Sequence, residues 1–285
     1  MARLRTDTSE GGRNPVRAKK SLGQNFLTAP SIAELIAKTA LQSNPKTVFE
    51  IGPGTGMLTR ALLANGAKVT AVEKDEELYA RLREEFSSET QSDLLTLICG
   101  DALVETPEKL DFKPQSYSVA ANIPYYITGE IIRMLLTTKT KPSSITLLVQ
   151  KEVAERIVAK DGKESLLSNS VKLFGTPIYV KTVKAGSFSP APKVDSAILH
   201  IENVSNEKLG VISEEDFFEI LHAGFGHKRK QLGKTLGEQF GKETANRALS
   251  VCNILSATRP ERLQVADWLC IATHLSHRDQ ISDRR

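Results

Sequence analysis

Short apolar runs alternate with amphipathic stretches along the first two thirds of the chain, and glycine-rich turns separate them. The runs Lys46–Ile51, Lys68–Glu73, Leu94–Cys99, Tyr117–Asn122 and Ile145–Val149 have the length and apolar content of buried parallel strands. Between them, Met57–Ala64, Asp75–Phe86, 128–137 and 150–160 read as helices, with Asp75 as an N-cap. Ahead of this series, Ser31 and Glu34 make a capping-box pattern before the apolar positions Ile32, Leu35, Ile36 and Leu41. Such alternation predicts an α/β, Rossmann-like, doubly wound and mostly parallel sheet, with ligands at the carboxyl ends of its strands.

The pattern changes after Lys160. A helix near 165–174 precedes two strand-like runs, Ile178–Val183 and Val194–Ile201, joined by the proline-rich SFSPAPKVDS, which predicts an antiparallel edge on the same sheet. Residues 202–212 have linker composition. Beyond them Ser213–Phe225, Lys242–Val251 and Glu261–Thr273 read as helices, with Thr258 and Pro260 set to start the last. The division expected is a flexible basic arm at 1–20, a ligand-binding domain at 21–205 and a small all-helical domain at 206–285.

Composition is that of a globular protein, with 40% hydrophobic and 25% charged residues among 285. Charge adds more, because the net +4 is concentrated: residues 1–20 carry +4, and residues 220–237 another +4 through Lys228, Arg229, Lys230 and Lys234 with no acid. Two basic segments on an otherwise acidic chain suit a phosphate-bearing partner. The three cysteines, Cys99, Cys252 and Cys270, form no C-x-x-C pair, and the five histidines show no metalloprotease spacing, so neither a disulfide framework nor a metal site is expected. The first thirty residues lack a signal-peptide core, no apolar stretch approaches the roughly 18 residues of a membrane span, and Asp7 and Glu10 argue against a transit peptide, leaving a cytoplasmic protein as the expectation.

The candidate chemistry gathers at strand ends. Glu50-Ile51-Gly52-Pro53-Gly54-Thr55-Gly56 occupies the first strand-to-helix turn, where glycines let a nucleotide approach the backbone. A dinucleotide fingerprint would require glycine at 57, where this chain has Met57, so a pyrophosphate is disfavoured. Glu73 ends the second strand, where a carboxylate can accept from both hydroxyls of an adenosine ribose. Asp101, in Gly100-Asp101-Ala102, lies where it can reach an adenine amino group. Asn122-Ile123-Pro124-Tyr125 ends the fourth strand. An exocyclic adenine amine is a weak nucleophile because its lone pair is delocalised. Two acceptors, the Asn122 side-chain oxygen and the Ile123 carbonyl, could hold its hydrogens and turn that lone pair toward an electrophilic methyl without a strong general base. Pro124 stiffens the loop, and Tyr125 offers a face for stacking.

The segments KKSLGQNFL (19–27), VFEIGPGTGMLT (48–59), AVEKD (71–75), GDAL (100–103), ANIPYYIT (121–128), QKEVAERI (150–157) and SFSPAPKVDSA (187–197), with the tail AGFGHKRKQLGKTL, together resemble the ribosomal RNA adenine N6,N6-dimethyltransferase family, and most closely its small-subunit branch. That resemblance implies a class I S-adenosylmethionine-dependent fold that transfers four methyls to two adjacent adenosines near the 3′ end of small-subunit (16S) RNA, late in 30S assembly. It also implies that Gln24, Asn25 and Leu27 contact the methionine or ribose part of the cofactor, and that Gly52, Gly54, Glu73, Asp101 and Asn122 complete its pocket. Phe188 would cover the flipped adenine opposite Tyr125. Lys228, Arg229, Lys230 and Lys234 would meet RNA phosphates. Two rivals share the fold: a resistance methyltransferase acting on large-subunit RNA, and a non-catalytic RNA-binding factor serving assembly or transcription. Nothing in the sequence marks an oligomer interface, so a monomer is expected.

Overall fold

The computed structural model describes residues 18–19, 22–42, 46–227 and 230–276; the arm at 1–17 therefore lies outside the described residues, as do Lys228 and Arg229. Strand β1 (Phe26–Leu27) pairs antiparallel with β8 (Phe188–Ser189). The main sheet contains β2 (Thr47–Ile51), β3 (Lys68–Glu73), β4 (Leu95–Cys99), β5 (Ser118–Asn122), β6 (Ser144–Gln150), β7 (Thr176–Val183) and β9 (Ser196–Glu202), in the order β4-β3-β2-β5-β6-β9-β7. The β4-to-β6 side is parallel, whereas β9 runs antiparallel to both β6 and β7. Strand order reverses at β2, which lies between β3 and β5, and this switch point opens a crevice at the carboxyl ends of those strands.

Two cores follow from strand alternation. Val48, Val69, Ala71, Ala120 and Ile198 face helices α1 (Pro30–Ala40), α2 (Met57–Ala64) and α3 (Glu76–Glu85), which contribute Ile36, Leu62 and Leu82. A short helix α4 (Ser87–Gln91) follows α3. On the other face Phe49, Val119, Leu147 and Leu199 pack on α5 (Thr128–Thr137), α6 (Lys151–Val158) and α7 (Leu166–Phe174). That core continues unbroken into α8 (Glu214–Phe225), α9 (Leu232–Phe240), α10 (Lys242–Val251) and α11 (Val265–Leu275) through Phe217, Leu236, Leu249 and Trp268.

Several expectations need correction. Helix α1 starts at Pro30 with Ala29 as its cap, because proline suits the first helical position; the Ser31–Glu34 box does not form, and Glu34 instead bonds Lys38 and Asn65. Pro260 opens only a short 3-10 turn at Pro260–Arg262, and α11 begins at Val265 under a reciprocal Gln264–Asp267 cap. The linker-like stretch 202–212 buries Val204, Leu209 and Ile212. Cys252 and Cys270 form a disulfide: α10 ends beside the middle of α11, bringing Cα atoms 18 residues apart to 5.9 Å.

Candidate functional site

At the end of β2 the chain turns through Gly52, Gly54 and Gly56, all with positive φ (66°, 61° and 79°), which side-chain-bearing residues rarely adopt. A Cβ on Gly56 would come within 2.6 Å of the Phe86 ring, whereas one on Gly52 would project into open space. That open space belongs to a cleft lined by the strand-end residues singled out in the sequence, Glu73, Asp101 and Asn122 among them.

Glu73 is 5% exposed and aims both carboxylate oxygens at backbone donors: Oε2 accepts from the Gly54 N–H and Oε1 from the Asp75 N–H, each at 2.9 Å. Burial raises its pKa, partly offset by these two bonds. The carboxylate is thereby fixed, with further lone pairs for a ribose diol. Asp101 lies one strand over. Its Oδ2 accepts from Lys74 Nζ at 2.8 Å and its Oδ1 from the Leu103 N–H at 3.0 Å, and these bonds hold its pKa below the usual carboxylate range.

The N-terminal loop closes the cleft from the other side. Leu27 is buried in the β1–β8 ladder opposite Phe188. Gln24 lines the cleft, but its side chain is engaged: Nε2 donates to Asp75 at 3.1 Å, and Oε1 accepts from the Lys19 N–H at 2.7 Å. Lys19 Nζ completes the group on Asp75 at 2.7 Å. Burial pushes Asp75 up, but Lys19, Gln24 and the Glu77 N–H outweigh it and leave the carboxyl low. Asn25 contributes through its backbone, since its carbonyl accepts from Asn122 Nδ2 at 3.1 Å.

This Asn25–Asn122 bond decides the geometry of the site. It fixes which end of the Asn122 amide is which, spending the donor on the loop and leaving Oδ1 as the acceptor for the cleft. Ile123 and Pro124 follow at the strand's end and also line the cleft. Tyr125 starts a 3-10 turn, and its hydroxyl lies 2.7 Å from Ser196 Oγ on β9, so the ring is anchored at its far end. Burial raises its pKa. Phe188 lines the same cleft while being only 5% exposed. Tyr126, 61% exposed at the rim, has no role that its sequence position suggested. Ser196 and Lys74 lie within SFSPAPKVDSA and AVEKD, but position in those motifs alone indicates neither contact.

Glu50 opens the glycine turn, and its sequence position predicts no role for it. It is fully buried under the glycine turn, and Oε2 accepts from Thr59 Oγ1 at 2.7 Å while Oε1 has no partner among the described residues. Burial, with a contribution from Glu73 and against the Thr59 bond, pushes it up to about 8. The folded chain therefore keeps a proton that the unfolded chain releases above about 4.5, so Glu50 takes stability away as pH rises from about 4.5 through about 8. Glu50→Gln should flatten this decline. Denaturant unfolding across that pH window checks it; parallel wild-type and variant curves would contradict it.

Of the basic residues expected to meet RNA, Lys230 and Lys234 are described, and neither lines the cleft. Lys230 pairs with Glu238 at 3.0 Å, and Lys234 lines a separate polar groove with Gln231, Lys242, Asn246 and Ser256. Among the described residues one group has ligand atoms close enough for a metal, Cys252, Cys270 and His274, and its two sulfurs are bonded to each other.

The family model described as ribosomal RNA adenine dimethylase matches residues 16–277. A "Ribosomal RNA small subunit methyltransferase A" from Dehalococcoides mccartyi is 39% identical over 260 residues, covering 90% of this chain and 88% of the relative. The protein of the same name from Clostridium botulinum is 36% identical over 252 residues, covering 87% and 90%. Among solved structures, the 23S rRNA methyltransferase ErmE aligns with a TM-score of 0.72 at 26% identity, covering 88% of this chain and all of that one. A dimethyladenosine transferase from Plasmodium falciparum aligns with a TM-score of 0.71 at 26% identity, covering 86% and 95%.

Proposed function

The chain belongs to the ribosomal RNA adenine dimethylase family, and from that premise we propose that it dimethylates the N6 amines of two adjacent adenosines near the 3′ end of small-subunit ribosomal RNA. It acts as a monomer in the cytoplasm, on a precursor of the 30S subunit late in assembly. Higher identity to the small-subunit relatives than to the 23S enzyme supports this choice of RNA. The observation that carries the chemistry is the Asn122 amide, which lines the cleft and is tied by its nitrogen to Asn25, leaving its oxygen as the group able to accept.

S-adenosylmethionine is the cofactor, and when bound it supplies an electrophilic methyl group. The residues present fit it: the unfilled space over Gly52 admits a ligand, and the fixed Glu73 carboxylate can take a ribose diol. Asp101 can accept from an adenine amine beside its bond to Lys74. Gln24, Asn25 and Leu27 wall the methionine side, with Gln24 acting through its hold on Asp75. Asn122 Oδ1 and the Ile123 carbonyl take the two amine hydrogens of the target adenine, so its lone pair points across the cleft. Tyr125 and Phe188 hold the flipped base. Residues 21–205 bind cofactor and base, while residues 206–285 meet RNA.

Replacing Glu73 by alanine should weaken S-adenosylmethionine binding by about 10- to 100-fold, the worth of one or two hydrogen bonds to a charged acceptor, as read by calorimetry. Unchanged affinity would remove Glu73 from the pocket. Reversing Lys228 and Arg229 to glutamate should lower RNA affinity and reduce the salt slope by about 1 for each phosphate no longer neutralised. An unchanged slope would take these residues off the RNA.

The proposal as a whole is tested by methyl transfer from labelled cofactor to unmethylated small subunits and, separately, to large-subunit RNA, with product nucleosides identified by mass. Dimethyladenosine at two adjacent small-subunit sites is expected. Label confined to large-subunit RNA, or RNA binding without transfer, would overturn it.

A further inference from the structure

Cys252 caps the end of α10, and Cys270 lies in the middle of α11, both partly exposed. His274, one turn beyond Cys270 on the same helix and exposed, brings a ring nitrogen within 4.8 Å of both sulfurs. An imidazole beside a cysteine favours the thiolate, the form that attacks disulfides, and exposed disulfides are the ones open to exchange. Cys99, the third cysteine, is free and exposed.

The disulfide adjoins a loop that supports the start of α9. Carbonyls of that loop, just past Cys252, accept from the first turn of the helix: Ser256 from the Gly233 N–H and Thr258 from the Leu232 N–H, each at 2.9 Å. No side chain caps α9, so these carbonyls satisfy donors that a helix start otherwise leaves open. The two segments pack closely, since a Cβ on Gly233 would meet Ser256 at 2.7 Å. Lys230, just before α9, and Lys234, within it, are two of the four basic positions assigned to RNA.

We propose that Cys252, Cys270 and His274 form a reversible thiol–disulfide site whose state sets how firmly the 253–259 loop holds the start of α9. Closure takes a small-molecule disulfide. The Cys270 thiolate attacks one of its sulfurs and expels a thiolate; the Cys252 sulfur then displaces the second from Cys270. The chain gives up two electrons and two protons, and the small disulfide becomes two thiols. A dithiol runs the same steps backward. Closed, the bond joins α10 to α11 and stiffens the loop; open, it frees the loop and loosens the start of α9, beside Lys230 and Lys234. The consequence for RNA rests on the proposed function, whereas the thiol chemistry does not.

Thiol titration of the native full-length protein tests the site. In the Cys99→Ser protein, which removes the exposed thiol that glutathione would itself cap, no reactive thiol is expected under oxidised glutathione and two under dithiothreitol, returning to none on exchange back. His274→Gln should slow reclosure. Binding of small-subunit RNA should be several-fold tighter for the oxidised protein than for the reduced one, with Cys252→Ser and Cys270→Ser both fixed at the weaker value. Two reactive thiols in the Cys99→Ser protein under every buffer, a bond that resists dithiothreitol in the native state, or reduced thiols silenced by a bound zinc ion would each overturn the site. A responsive titre with equal RNA affinities would overturn the coupling to α9. Absence of RNA binding in both states would count against the proposed substrate instead.

Discussion

Asn122→Ala should cut methyl transfer by about 10²–10³-fold while S-adenosylmethionine still binds, the effect seen when one preorganised hydrogen-bonding group is removed from a reacting centre. The variant loses the acceptor that orients the adenine amine, and the Ile123 carbonyl alone leaves that amine free to rotate about its remaining bond. Because the interaction is made with the reacting group, the loss falls on kcat more than on KM. Asn122→Asp is informative beside it, since the new carboxylate would face the Asn25 carbonyl where Nδ2 now donates at 3.1 Å. That variant should also be impaired, although it keeps an acceptor. Single-turnover rates with calorimetric cofactor affinities check both, and transfer near the wild-type rate in Asn122→Ala would overturn the orientation mechanism.

Tyr125→Ala should lower turnover by roughly 10- to 100-fold, in line with about 1–3 kcal/mol for one base–aromatic stack. Tyr125→Phe keeps the ring and gives up only the hydroxyl contact to Ser196, so it should retain most activity. Phe188→Ala should impair turnover less than Tyr125→Ala, but at a second cost. Phe188 is 5% exposed and opposes Leu27 in the β1–β8 ladder, so truncation should also destabilise the fold by about 3–5 kcal/mol. Unfolding curves measured beside the rates separate the two effects. Full activity in Tyr125→Ala would remove the stack from the mechanism.

Local pattern made part of the fold legible in the sequence. Helices α2 and α10 and strand β3 have the predicted limits because apolar periodicity and flanking glycine or polar residues agree there. Helix α9 is not legible in the sequence because Gly233 and Gly237 lower its helical propensity, and its start is held by carbonyls from residues more than twenty positions away. β1 and β8 are two residues long, too short for any alternation to show. In the site, Glu73, Asp101 and Asn122 were legible because each lies at or just past a strand end, and strand ends converge in this topology. Their settings were not. Asn122 finds Asn25 across 97 residues and Tyr125 finds Ser196 across 71, pairings that exist only once the sheet has assembled. The pairing of Cys252 with Cys270 likewise depends on how α10 and α11 pack, which spacing alone does not convey.

The most direct test of the central claim is a crystal structure with S-adenosylhomocysteine and a short RNA whose target adenosine is unmethylated. The account predicts adenine N6 within about 3.2 Å of both Asn122 Oδ1 and the Ile123 carbonyl oxygen, with Asn122 Nδ2 still donating to Asn25 and the base against Tyr125. An amide turned so that Nδ2 faces the adenine, or an N6 held away from both oxygens, would contradict it.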